Sequence, residues 1–166
     1  DALLIFRQES MFWLTGYDTF GYVFFQTLII DRKGNVILLT RAPDLRQAQN
    51  TSNIEDIRIW VDKDKSNPTD DLKIILNELN LKSKKIGIEY EAYGLTGRNA
   101  LKLNKSLQDY CDVEDQSELI TQHRVIKSKE EIFYVKKAAE LADKALNETW
   151  KYAKAGASEA KILAEM

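Results

Sequence analysis

Between Ser128 and Lys154, apolar residues recur at Ile132, Val135, Ala139, Ala142, Leu146, Trp150 and Ala153. That three-four alternation belongs to a helix with one oily face, and such a face needs a cover. Gly156 marks a helix stop, and Ser158 opens a further helical pattern through Glu159, Ala160, Ile162 and Leu163 that is cut at Met166. The chain therefore reads as the front of a larger protein. Residues 123–166 form a linker and the first helices of a second domain that continues downstream. At the other end Asp1 leads straight into the apolar run Ala2–Phe6, a strand already under way, so a few leading residues are expected to be missing.

The first 122 residues alternate strand and helix patterns. Tyr22 to Ile30 is nearly continuous in apolar residues, as in a strand covered on both faces. Asp31-Arg32-Lys33-Gly34 supplies a turn, and Val36 to Leu39 returns, so residues 22–41 are predicted to form an antiparallel hairpin. Ile57, Ile59 and Val61 alternate with Arg58 and Trp60 in a third strand. Asn67-Pro68 opens a helix with Asp70 and Asp71 in its first turn and Leu72, Ile75, Leu76 and Leu79 on its buried face. Ile86, Ile88 and Tyr90 mark another strand. After the Gly94–Gly97 turn, a helix with Ala100, Leu103 and Leu107 inward leads to a short strand at Cys111–Glu114. The expectation is an α/β domain over residues 1–122: a mixed sheet in a three-layer α/β/α sandwich, with a C-terminal helical extension.

Composition removes several function classes. In 166 residues with net charge −2, no basic run exceeds two lysines, so the electrostatic signature of nucleic-acid binding is missing. No stretch approaches the roughly 20 apolar residues a bilayer span needs, and no signal peptide precedes the first apolar run; a cytoplasmic protein is expected. Cys111 is the single cysteine and reads as a small buried hydrophobe; His123, the single histidine, reads as a linker residue beside Arg124. A catalytic triad, a Cys-His pair or a zinc site would each have to use that one histidine. Asp31, Glu89, Glu91 and Asp115 sit near strand ends and could converge on two metals. Against this, Asp31 falls in a turn, Glu91 and Asp115 at solvent-facing termini, and no basic surface accompanies them. No catalytic residue and no metal ligand is assigned to this chain.

The segment that resists a purely structural reading is Met11 to Tyr22, MFWLTGYDTFGY, with five aromatic residues and two glycines in twelve. Phe12 and Trp13 are expected to fill core as part of a lid over the sheet. Tyr17, Asp18, Phe20 and Tyr22, rigid rings beside Gly16 and Gly21, suit a contact surface. Arg41, with Asp44 and Arg46 after the hairpin, could clamp a carboxylate or pair with Asp44 on the surface.

Two motifs then carry a resemblance. Trp13-Leu14-Thr15-Gly16-Tyr17-Asp18, before the aromatic loop and apolar strand, is similar to the amino-terminal domain of the creatinase, prolidase and aminopeptidase P family. Arg124-Val125-Ile126-Lys127-Ser128, followed by Lys129-Glu130-Glu131-Ile132, resembles the junction where that family enters its catalytic domain. Ser128 and Glu131 have the spacing of a capping box.

The resemblance implies a ribonuclease H-like fold for residues 1–122 and the start of a pita-bread catalytic domain in 123–166. It further implies an intact hydrolase of C–N bonds that acts on Xaa-Pro dipeptides, creatine or similar small molecules. Two divalent metals (Mn, Co or Zn) would be held downstream, or none if the protein is creatinase-like. The expected partners are the missing C-terminal catalytic domain and a second copy in a homodimer, with no nucleic acid and no membrane. Tyr17, Asp18, Phe20, Tyr22 and Arg41 would be presented to the partner's active site. The alternative is a stand-alone α/β module that binds a small ligand or a protein without catalysis. An open reading frame running past Met166 with the metal ligands would separate the two.

Overall fold

The computed structural model describes residues 1–166, which divide into two units, Asp1–Arg124 and Val125–Met166. The first unit is built on a six-stranded sheet: β1 (Ala2–Ile5), β2 (Thr27–Asp31), β3 (Val36–Arg41), β4 (Asp56–Trp60), β5 (Lys85–Ile88) and β6 (Asp112–Asp115), ordered β4-β3-β2-β1-β5-β6. β1 to β3 pair antiparallel, whereas β3–β4, β1–β5 and β5–β6 are parallel, which makes the sheet mixed.

Alternation along the strands sorts the core into two layers. Leu4, Ile29, Ile37, Leu39, Ile86 and Ile88 face one side and pack with α3 (Pro68–Glu78) and α4 (Gly97–Leu107) through Leu72, Ile75, Leu76, Leu103 and Leu107. Ile5, Leu28 and Leu38 face the other and pack with α1 (Gln8–Thr15), α2 (Leu45–Thr51) and α5 (Leu119–Val125) through Met11, Ala48 and Ile120. This is the expected three-layer α/β/α arrangement.

Four local expectations need correction. The strand predicted to begin at Tyr22 begins at Thr27; Gly21–Val23 form a 3-10 turn and Tyr22, Val23 and Phe24 are exposed. In β4 it is Trp60 that is buried, while Ile59 and Val61 are exposed, because the indole Nε1 donates to the Phe25 carbonyl at 2.9 Å and can leave water without loss. Phe12 and Trp13 lie on the outer face of α1 instead of filling core. His123 stands in the last turn of α5, not in a linker.

The second unit contains α6 (Lys129–Tyr152) and α7 (Glu159–Glu165). Ser128 Oγ accepts the Glu131 N–H at 3.1 Å and Glu131 accepts the Ser128 N–H at 2.6 Å, the complete capping box. No residue of α6 is buried, so its Ile132, Val135, Leu146 and Trp150 are open to solvent.

Candidate functional site

The aromatic segment is shaped by two glycines and one buried tyrosine. Gly16 ends α1 in the left-handed conformation (φ 78°), its N–H donating to the Phe12 carbonyl at 2.8 Å, and turns the chain back over the sheet. Tyr17 follows and points inward. Its ring is fully buried among Met11, Leu28, Leu38 and Ala48, and its hydroxyl donates to Gln26 Oε1 at 3.0 Å, an oxygen also reached by Thr40 Oγ1 at 3.3 Å. Burial pushes the phenol pKa up. Tyr17, expected at the surface, is therefore the anchor beneath it. The phenol is the one ring here whose hydroxyl finds buried polar partners.

Asp18 is exposed, and its N–H donates to Thr51 Oγ1 at 3.1 Å. Thr19 Oγ1 accepts the Gly21 N–H at 2.8 Å and tightens the turn that follows. Phe20 stands 87% exposed, the extreme value for an aromatic ring in this chain. Tyr22 meets the edge of Tyr93 at 5.9 Å between centroids. Phe24 lies under the guanidinium of Arg41 at 3.4 Å, and Arg41 Nε donates to Asp44 Oδ2 at 3.1 Å. Gly21 admits the Asp44 carboxyl, since a Cβ there would lie 2.6 Å from it. Tyr22 thus stands beside Tyr93 and Arg41 beside Phe24, while Asp18 and Phe20 are exposed on the same segment as Tyr22; Phe24 and Tyr93 were not among the expected site residues. Phe24 was hidden inside the apolar run assigned to a strand. The signal for Tyr93 was an aromatic residue directly before Gly94.

The four strand-end carboxylates do not converge. Asp31 accepts the Lys33 and Asn35 N–H groups at 2.8 and 3.0 Å and the Asn35 amide at 2.7 Å. Burial raises its pKa, but those bonds prevail and hold it below the usual carboxylate range. Glu89, at the end of β5, is buried and caps α1 from outside: Oε2 accepts the Phe6 and Arg7 N–H groups at 3.1 and 2.8 Å, and Oε1 accepts Ser10 Oγ at 2.6 Å. Desolvation raises its pKa, partly offset by those bonds. Glu91 is exposed and bound to Arg7 at 2.8 Å. No group of three or more His, Cys, Asp or Glu side chains is placed to hold a metal ion. Burial also raises the pKa of the half-buried Cys111 thiol. The segment presents exposed rings and, over Phe24, one oriented guanidinium.

The creatinase/prolidase N-terminal domain model matches residues 1–126. The chain belongs to that family. Family relatives include an uncharacterized hydrolase/peptidase of Sinorhizobium fredii, 25% identical, the match covering 99% of this chain and 43% of the relative. Among solved structures, the dipeptidase of Pyrococcus horikoshii is 26% identical with a TM-score of 0.70, covering 92% of this chain and 40% of that one. The X-Pro aminopeptidase of Thermotoga maritima has a TM-score of 0.73 at 23% identity, covering 99% and 44%, and shows the shared fold of the creatinase/prolidase N-terminal domain. This chain spans less than half the length of these relatives. No helix is long and apolar enough to cross a membrane.

Proposed function

We propose that this chain is the non-catalytic N-terminal part of a cytoplasmic hydrolase of the Xaa-Pro dipeptidase, aminopeptidase P or creatinase kind. In a homodimer, its aromatic rim pairs subunits and closes over the active site of the partner. The observation that supports this reading is the exposed rim of Phe20, Tyr22, Phe24 and Tyr93, held by Gly21, Asp44 and Arg41 so that large rings stay in water at one end of the sheet. Phe20 and Tyr22 would exclude water from the neighbouring site. Arg41 and Asp18 would present charge to a small polar substrate, with Tyr17 supporting the segment from behind. The substrate would be an Xaa-Pro dipeptide, creatine or another N-substituted amino acid. Any pair of divalent metals (Mn, Co or Zn), or none in a creatinase-like enzyme, would be held by the catalytic domain. No chemical step is assigned to the residues described.

The test uses the longer protein that carries this chain. It should hydrolyse an Xaa-Pro dipeptide or creatine and sediment as a dimer. Phe20→Ser with Tyr22→Ser should raise KM by roughly tenfold with the fold intact, in line with loss of about 1.4 kcal/mol of binding. Full activity from a monomer, or kinetics unchanged by the double variant, would overturn the reading.

A further inference from the structure

Lysines that lie far apart in the sequence are gathered by the fold. Lys73 comes from the middle of α3, Lys82 from the turn before β5 and Lys105 from the last turn of α4, and all three line one groove of about 380 Å³. The groove sits at the amino ends of the parallel strands β5 and β6, whereas Tyr93 follows the carboxyl end of β5. Its volume is in the range of small-molecule sites.

Tyr110 forms the floor. Its buried ring lies 5.2 Å from the Lys73 ammonium, and its hydroxyl donates to Asn77 Oδ1 at 2.8 Å. Lys73 is half-buried and donates to the Ser106 carbonyl at 3.0 Å, but no carboxylate pairs with it. Lys82 and Lys105 are exposed and make neither a side-chain hydrogen bond nor an ion pair; Asn77 Nδ2 and the Gln108 side chain, also in the groove, are equally unspent. Asp109 is the one carboxylate on the lining.

Lysines near helix ends also answer the backbone. The carboxyl ends of α3 and α4 each bring about half a negative charge, and with Asp109 they leave the groove roughly one positive charge in surplus. Surplus charge together with several unused N–H donors suits a compact anion rich in acceptor oxygens. A phosphate has that chemistry: about −1.5 to −2 at neutral pH, with at least three strongly accepting oxygens. Lysine serves such a group as a point charge.

We infer that this groove binds a phosphate group, as free phosphate or as the head of a small phosphate monoester. Lys73, Lys82 and Lys105 supply the charge, and Asn77 and Gln108 donate to the oxygens. None of these residues is among those assigned to subunit pairing or to the hydrolase substrate, so the site stands or falls by itself.

The experiment titrates the 166-residue chain with inorganic phosphate and with glycerol phosphate at constant ionic strength, sodium chloride and glycerol being the controls, and follows amide chemical shifts. Saturable shifts at Lys73, Ser106 and Tyr110 that neither control reproduces are expected; whichever probe binds tighter tells the free ion from the ester. Lys82→Gln with Lys105→Gln, both at exposed positions, should weaken binding at least about tenfold. Asp109→Asn removes the one repelling carboxylate and should tighten it about threefold. Lys33→Gln with Lys63→Gln deletes the same charge outside the groove and should leave affinity within about twofold. Shifts that rise linearly without saturation, equal shifts with chloride, or equal weakening by the two double variants would overturn the inference.

Discussion

Gly94 sits so close to the carbonyl oxygen of Phe24 that a Cβ on residue 94 would overlap it, and the Tyr22 carbonyl lies 2.9 Å from the same point. Backbone is the obstacle, so the clash has no cheap relief. Gly94→Ala should shift the 22–24 segment, loosen the Tyr22–Tyr93 contact and cost about 1–3 kcal/mol. Gly21→Ala meets only the Asp44 side chain, which can swing away, and should cost less while releasing Arg41 from its partner. Urea unfolding of the two variants ranks them.

Tyr17 and Phe12 should exchange the importance that their sequence positions suggest. Tyr17→Ala removes a fully buried ring and should cost about 3–5 kcal/mol. Tyr17→Phe, which removes only the hydroxyl donated to Gln26, should cost about 0.5–1.5 kcal/mol. Phe12→Ala, at a 56% exposed site, should stay within about 0.5 kcal/mol of the parent. Thermal melts of the three variants decide the order.

Glu89 and Asp31 should give stability profiles of opposite slope. The folded protein holds the Glu89 proton to higher pH than the unfolded chain does. Its contribution is therefore full below the unfolded pKa and is lost as pH rises through the folded one. Relative to Glu89→Gln, the parent should lose stability as pH rises upward from the ordinary glutamate range. Asp31 is shifted down, so its contribution is present above the unfolded pKa and lost as pH falls through the folded one. Relative to Asp31→Asn, the parent should gain stability as pH rises from below the ordinary aspartate range to just above it. Denaturant titrations across that range measure both slopes.

The α6 capping box predicts a local effect. Ser128→Ala leaves the Glu131 N–H without its side-chain acceptor and should cost the helix about 0.5–2 kcal/mol. Amide exchange should quicken in the first turn of α6 and stay unchanged in the sheet.

Much of the architecture was legible in the residues. The β2–β3 turn carries Asp31 and Gly34, α3 opens on Pro68, and the order of strand and helix patterns implies a sheet covered on both faces. The aromatic segment was misread because burial in α1 does not follow hydrophobicity. Its inward positions include Ser10 and Thr15, whose hydroxyls bond Glu89 and the Met11 carbonyl, while Phe12 and Trp13 face out. Glu89, weighed as a metal ligand, serves as the distant cap of that helix, a role no local pattern encodes. α2 and α5 escaped notice for a related reason: each buries essentially one side chain, Ala48 or Ile120, too few to set a period.

The adjacency of β1 and β5 also imposes an order of events during synthesis. One edge of β1 can zip onto β2 once residue 31 has emerged, but the other waits for Lys85–Ile88. Until then the first strand keeps a raw flank, and closing so long a loop is slow. Nascent chains halted before residue 85 should therefore be vulnerable to proteases at their amino terminus, since the inner flank of β1 is covered only after Ile88 has left the ribosome.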